Sequence, residues 1–271
     1  MGVEQTLVAV PSCEACGTGC LHGYGTVRGE SNAARLGWRE AMEGAFAEPP
    51  LAVLVGAAFG SLLLDRIGAD GFHVHIHGAP RTARSLSVRS AVAVAGNPDL
   101  VLRDIAPEAA GHRLAATAPM PVGFRRAEPA LLAEIGSGGL GGVVLTTGDR
   151  PVPGALNLPA PLVSVRTRLT MIHLIASGYY GWPYSWLKTD PVVEEVATWY
   201  SVAQRMMRAR PAIGEDLIDP LCVAATGFGA LGRILGRGLA FYAGIAAALR
   251  VAEPVISIGG ASSAAASLRL V

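Results

Sequence analysis

Lysine is almost missing from this chain: of 22 lysines and arginines, Lys188 alone is lysine. Charged residues of all kinds make up 16% and aromatics 6%. The 22 basic residues face 21 acidic ones, a formal net charge of +1, so the bulk positive field that marks many nucleic-acid binders is absent. Four cysteines, three of them between Cys13 and Cys20, do not make the disulfide framework of a small secreted domain. No run reaches the roughly 20 apolar residues that a spanning helix needs. The longest, Leu51 to Leu64, is closed by Asp65 and Arg66. Glu4 stands where a secretory leader carries basic residues. These absences predict a cytoplasmic protein with no membrane partner. What is present is apolar mass: 51% of 271 residues are hydrophobic, too many for a disordered solvating chain and enough for one sizeable domain, or one domain with a small appendage.

Glycine and proline divide the chain. Residues 1–30 are rich in Gly and Cys and weakly patterned. A polar helix is predicted over 33–48, stopped by Pro49 and Pro50, because proline lacks a helix donor and disfavours helix just before it. Residues 51–67 are apolar on nearly every face and predict a buried helix. Residues 72–77, reading Phe-His-Val-His-Ile-His, alternate strictly between glycines, which marks a short strand. A loop is predicted at 78–85 and a small-residue helix at 85–95, ended by Gly96, Asn97 and Pro98. Further strands are predicted at 114–117, 143–147 and 162–172 and a helix at 129–135. From 174 onward the pattern is mostly helical, at 190–209, 214–233 and 235–252.

Strand, then Gly78 to Ser85, then helix has the layout of a phosphate-binding P-loop, G-x-x-x-x-G-K-[ST]. Gly78 fits the first glycine and Ser85 the magnesium-binding hydroxyl. Ala83 stands where glycine lets the backbone approach phosphate, and Arg84 stands where lysine belongs. Arg84 keeps a positive charge, but its planar fork is not interchangeable with an ammonium. The candidate nucleotide-binding set is Gly78, Thr82, Ala83, Arg84 and Ser85, with ATP and magnesium as the ligands to expect. An ordinary strand-to-helix turn fits the same residues. The expected fold class is α/β: a P-loop NTPase-like core with a mostly parallel sheet flanked by helices, followed by an all-α C-terminal part. The expected divisions are a Cys/Gly-rich segment at 1–30, the core at 31–172, a helical subdomain at 173–258 and a flexible tail at 259–271.

The surroundings of that loop carry a family resemblance. Trp38-Arg39-Glu40, the run from Gly56 to Leu64, Gly71 followed by Phe72 and His73, and the run from Arg89 to Pro98 resemble the domain of unknown function 927 family, P-loop ATPases of bacteria and mobile elements that are similar to replicative helicases. Gly142 to Asp149 resembles the family's strand ending in Leu-Ser-Ser-Gly-Glu, and Val165 to Arg168 its following Val-Arg segment. Tyr179 to Gly181 and the stretch from Gly227 to Ala247 are similar to its helical C-terminal part. The resemblance spans about residues 36–250 and is strongest over 36–98. It implies ATP hydrolysis in a homo-oligomeric ring acting on DNA. It also implies an Asp-Glu pair at the end of a neighbouring strand, to hold magnesium's water shell and orient the attacking water. The matching stretch, Leu114 to Ala118, puts Thr117 and Ala118 at those positions; Glu134 is a stand-in whose surroundings read as helix. Thr146 or Thr147 falls at the family's polar sensor for the γ-phosphate, and Arg166 or Arg168 is a candidate trans arginine. Loss of several catalytic parts together predicts a pseudo-ATPase.

Three other constellations stand out. Cys13, Cys16, Cys20 and His22 supply three soft ligands and an imidazole, a set that suits tetrahedral zinc. The same spacing fits an iron–sulfur cluster lacking a nearby fourth cysteine, or three reduced thiols. His73, His75 and His77 share one strand face and are expected to be partly buried and hydrogen-bonded, with metal binding as the alternative. Arg205, Arg208 and Arg210 lie near Trp199 and Tyr200, a pattern that suits either a nucleic-acid backbone or the cation-favouring end of a solvated helix. Three functions follow: a degenerate ATPase-like scaffold or regulator in mobile-element DNA metabolism, an active ATPase translocating DNA with Arg84 and Ser85, or a metal-bearing interaction module.

Overall fold

The computed structural model describes residues 31–78, 80–98, 119–137, 139–188 and 190–252. Helix α1 (Ser31–Ala47) runs to the proline pair, and α2 (Pro49–Ser61) restarts on it with proline at its first positions. From Leu51 to Ser61 every residue of α2 is buried, as its apolar circumference demands. A turn at Leu62 and Leu63 separates it from the short α3 (Leu64–Ile67), so the long helix expected over 51–67 is broken. Gly68 closes α3 in the left-handed region at φ 64°.

Among the described residues four strands form one parallel sheet in the order β2-β3-β1-β4: β1 (His73–His77), β2 (Val122–Gly123), β3 (Val144–Gly148) and β4 (Leu156–Pro159). The predicted strand at 72–77 is therefore interior, with His75 opposite Thr146 on one side and Asn157 on the other. Val74 and Ile76 point into the main core and are fully buried. Between β3 and β4 the crossover 149–155 has no helix and passes over the histidine face of β1. His75 Nε2 bonds the carbonyl of Arg150 at 2.9 Å, and Asn157 braces the crossover through the N–H and carbonyl of Val152, both at 2.8 Å.

After β1, helix α4 (Arg81–Val92) begins earlier than expected, with extended Pro80 as its N-cap residue. Helix α5 (Pro129–Ser137) follows β2. The predicted strand at 162–172 is instead helix α6 (Val165–Ala176). Ser164 starts it by accepting from the Thr167 N–H at 3.1 Å, and the face it buries, Thr167, Met171 and Leu174, recurs at helical rather than strand spacing. The remainder is helical: α7 (Trp182–Leu187), a 3-10 turn at Pro191–Glu194, α8 (Val196–Arg208), α9 (Glu215–Ile234) and α10 (Ala240–Ala252). Helix α9 is long and apolar enough to cross a membrane, but most of it is buried against α2 and α8.

The α2–α9 contact is built on glycine. A Cβ at Gly56 would stand 2.2 Å from the Ala224 carbonyl, and one at Gly227 2.1 Å from the Gly56 carbonyl. Only bare backbone allows the two helices this close. The result is an α/β fold, a parallel sheet flanked by helices with a helical C-terminal part, as the sequence predicts.

Candidate functional site

After β1, helix α4 packs into the core on the Val74 and Ile76 face of the sheet, and after β3 the crossover to β4 passes over the opposite, histidine face. The connections diverge between β1 and β3, and open parallel sheets form their ligand crevice outside the carboxyl ends of the strands at such a point. A cleft of about 690 Å³ lies there. Gly78, Arg81 and Arg84 enter it after β1, Arg125, Arg126 and Glu128 after β2, and Thr147 and Asp149 from the end of β3.

Arg84 is only 6% exposed. Its guanidinium folds back onto its own turn, donating from Nη1 to the Gly78 carbonyl, and Nη2 pairs with Asp149 Oδ1 at 2.8 Å. Its Nε has no hydrogen-bond partner. Gly78 holds φ 88°, which lets β1 turn sharply into α4. Because α4 is already helical at Arg81, Thr82, Ala83, Arg84 and Ser85 are helix residues rather than an open loop. Of the five sequence-predicted nucleotide residues, Gly78 and Arg84 line the cleft and Thr82, Ala83 and Ser85 do not.

The two threonines at the sensor position separate. Thr147 lines the cleft and donates its hydroxyl to the Arg125 carbonyl. Thr146 is fully buried on the opposite face, with Oγ1 at 2.7 Å from both His73 Nε2 and His75 Nδ1. Since His75 Nε2 donates to the Arg150 carbonyl, its Nδ1 accepts from Thr146, and Thr146 accepts from His73. The chain is satisfied with both imidazoles neutral. Burial, and then the neighbouring His75, lower the pKa of His73 to about 4. Burial also lowers His75 and His77, with the Arg84 charge as a lesser cause in both.

Other candidates lie elsewhere. Arg166 and Arg168 sit on exposed positions of α6 outside the cleft lining, Arg166 facing Glu40 at 3.3 Å. Glu134 is on α5. Arg208 pairs with Glu215 at 3.8 Å, while the nearby aromatics are used in packing: Trp199 stacks on Phe241, and Tyr200 donates to Asp219 at 2.9 Å. Cys13, Cys16, Cys20 and His22 lie outside the described residues, as do Leu114 to Ala118. Among the described residues no group of three or more His, Cys, Asp or Glu is placed to hold a metal.

Sequence reasoning missed Arg81, Arg125, Arg126, Glu128 and Asp149. The strand beside β3 is 122–123, and Phe124 and Ala127 continue along it by donating to the carbonyls of Leu145 and Thr147, at 2.8 and 3.1 Å. A short strand before Arg-Arg, without alternation, carries no period-two signal. Only the pairing identifies it.

Residues 28–112 match the sequence model of the family described as Domain of unknown function (DUF927). Over that segment, about a third of the chain, the sequence is similar to that family. The segment includes α1, α2, β1 and α4, and so brings Gly78, Arg81 and Arg84 to the cleft. A solved structure described as "SCCmec type IV Cch - active helicase" is similar at a TM-score of 0.61 and 17% identity, over 79% of this chain and 48% of that one. The chain thus spans about half the length of that helicase, and the likeness is one of fold. No curated protein matches the chain.

Proposed function

We propose that this chain is a degenerate P-loop ATPase-like protein, a scaffold or regulator in mobile-element DNA metabolism that binds nucleotide weakly and does not turn it over. One observation carries this reading. The strand that the structure describes beside β3 delivers Arg125 and Arg126 to the cleft, a basic pair at the end of a neighbouring strand where an active site needs carboxylates, while the stretch 114–118 that the resemblance matched to the acidic pair lies outside the described residues. The self-closed turn adds to it, since Arg84 is engaged by Gly78 and Asp149 rather than presented as a phosphate-reaching cation. Cytoplasmic location, DNA as partner and assembly into a ring are parts of the same proposal. They rest on the helicase-like fold.

Phosphoryl transfer depends almost wholly on positioning and charge, so losing the groups that hold the metal and the water costs at least about a thousandfold in rate. The alternative is an active DNA-translocating ATPase, with Arg84 and Ser85 in the P-loop roles and Glu128 or Asp149 as the carboxylate. The purified full chain, assayed with ATP, magnesium and DNA, is expected to show no turnover above background. Steady hydrolysis at about one per second or more, abolished by Arg84→Ala, would make it an active ATPase and end the pseudoenzyme reading.

A further inference from the structure

Magnesium wants oxygen ligands: one or two carboxylates and the substrate's phosphates, with water completing an octahedron. At this cleft Asp149 is engaged by Arg84 at 2.8 Å, and the Ser85 hydroxyl is outside the lining. Glu128 remains, two residues beyond a pair of guanidinium groups that repel a dication. Arg84, itself deeply buried, and Asp149 offset each other as a pair, which leaves Arg81 as a third positive charge at the cleft. The donor set does not fit a magnesium site.

It does fit the anion that magnesium ordinarily accompanies. Arg81, Arg84, Arg125 and Arg126 surround about 690 Å³, a volume within the range of nucleotide-sized pockets. Guanidinium forks take phosphate oxygens in pairs. Helix α4 starts at the cleft edge without a side-chain cap, so its positive dipole end favours the same charge. The buried Arg84 Nε is a donor with no hydrogen-bond partner.

We propose that the cleft binds a nucleoside triphosphate as the free anion, with Arg125 and Arg126 supplying the charge neutralisation that magnesium supplies in an active P-loop ATPase. This rests on the nucleotide-binding reading given above and reverses its cation requirement. Magnesium and the arginines compete for the same phosphate oxygens, so adding magnesium weakens binding.

The test is calorimetric titration of the full chain with ATP, once in EDTA and once in excess magnesium. Binding is expected to be severalfold tighter in EDTA. Arg126 is exposed, so Arg126→Glu leaves the fold intact, and it is expected to weaken EDTA binding about tenfold or more. Arg125→Ala is expected to weaken it in the same direction. Arg66→Ala, which removes an exposed charge from α3 before β1, is expected to leave it unchanged. Binding as tight or tighter with magnesium, or binding that survives both Arg125→Ala and Arg126→Glu, overturns the proposal while leaving a nucleotide site. No binding of ATP under either condition overturns both the proposal and the reading beneath it.

Discussion

Thr146 has one hydroxyl and two imidazoles to satisfy, and it manages both because a hydroxyl donates once and accepts as well. Replacing it by valine keeps the shape and leaves two buried ring nitrogens without that partner. Burial of unpaired polar groups makes such a change costly, about 2 kcal/mol. The same chain sets an acid limit on stability. His73 is neutral in the fold because its pKa is lowered to about 4 from 6.5, so the unfolded chain binds the proton more readily. The stabilisation is complete above pH 6.5 and is lost as the pH falls toward 4, up to about 3 kcal/mol. Urea unfolding at pH 7.5 and pH 4.5 checks this: the acid-side loss should shrink in His73→Gln. An equal loss in that variant would assign the pH dependence to other groups.

At the scale of elements, the helix pair α2–α9 is set by backbone contact rather than by side-chain shape. Gly227→Ala puts a methyl into the space of the Gly56 carbonyl and the Gly60 N–H, both under 2.4 Å away (2.1 and 2.3 Å), and the backbone there cannot give. The helices must move apart, at a cost of about 3 kcal/mol. Gly238 is the contrast, since a Cβ there meets nothing within 4 Å. Gly238→Ala should leave stability within about 1 kcal/mol of the parent or raise it, through a less flexible unfolded chain. Thermal melts of the two variants, side by side, decide whether close approach or generic glycine replacement is at issue. Another element-level effect explains the altered P-loop region: helix starting at Arg81 uses up residues that an open phosphate-wrapping loop would need as extended backbone.

Across the whole molecule, one buried apolar cluster joins the sheet layer to the C-terminal helices. It includes Trp38 from α1, Leu54 and Phe59 from α2, Ile76 from β1, and Phe228 and Ile245 from α9 and α10. A proposed boundary between 172 and 173 therefore separates parts that share their hydrophobic driving force. Chains well above about 150 residues commonly unfold in several steps. Here far-ultraviolet circular dichroism and tryptophan fluorescence should report coincident denaturant transitions. Two separated transitions would show that the helical part holds together by itself.

Sequence alone determined the elements whose pattern is local. Strict alternation at 72–77 marked β1, the all-round apolar stretch marked α2 as buried, and prolines and glycines marked most helix ends. The resemblance over 36–98 pointed to the segment that the family model matches, and of the histidines expected to be partly buried and hydrogen-bonded, His73 and His75 are both, while His77 is half-buried at the end of the strand. Tertiary structure decided what depends on neighbours. It made 165–176 a helix that buries Thr167, Met171 and Leu174 against α1 and α4. It chose Thr147 over Thr146 for the cleft because adjacent strand residues face opposite sides of the sheet. It brought Arg125 and Arg126 beside Arg84, more than 40 positions away in the chain, by pairing β2 with β3. Periodicity reports which face of an element is apolar, but which elements stand side by side is settled only when those faces are packed together.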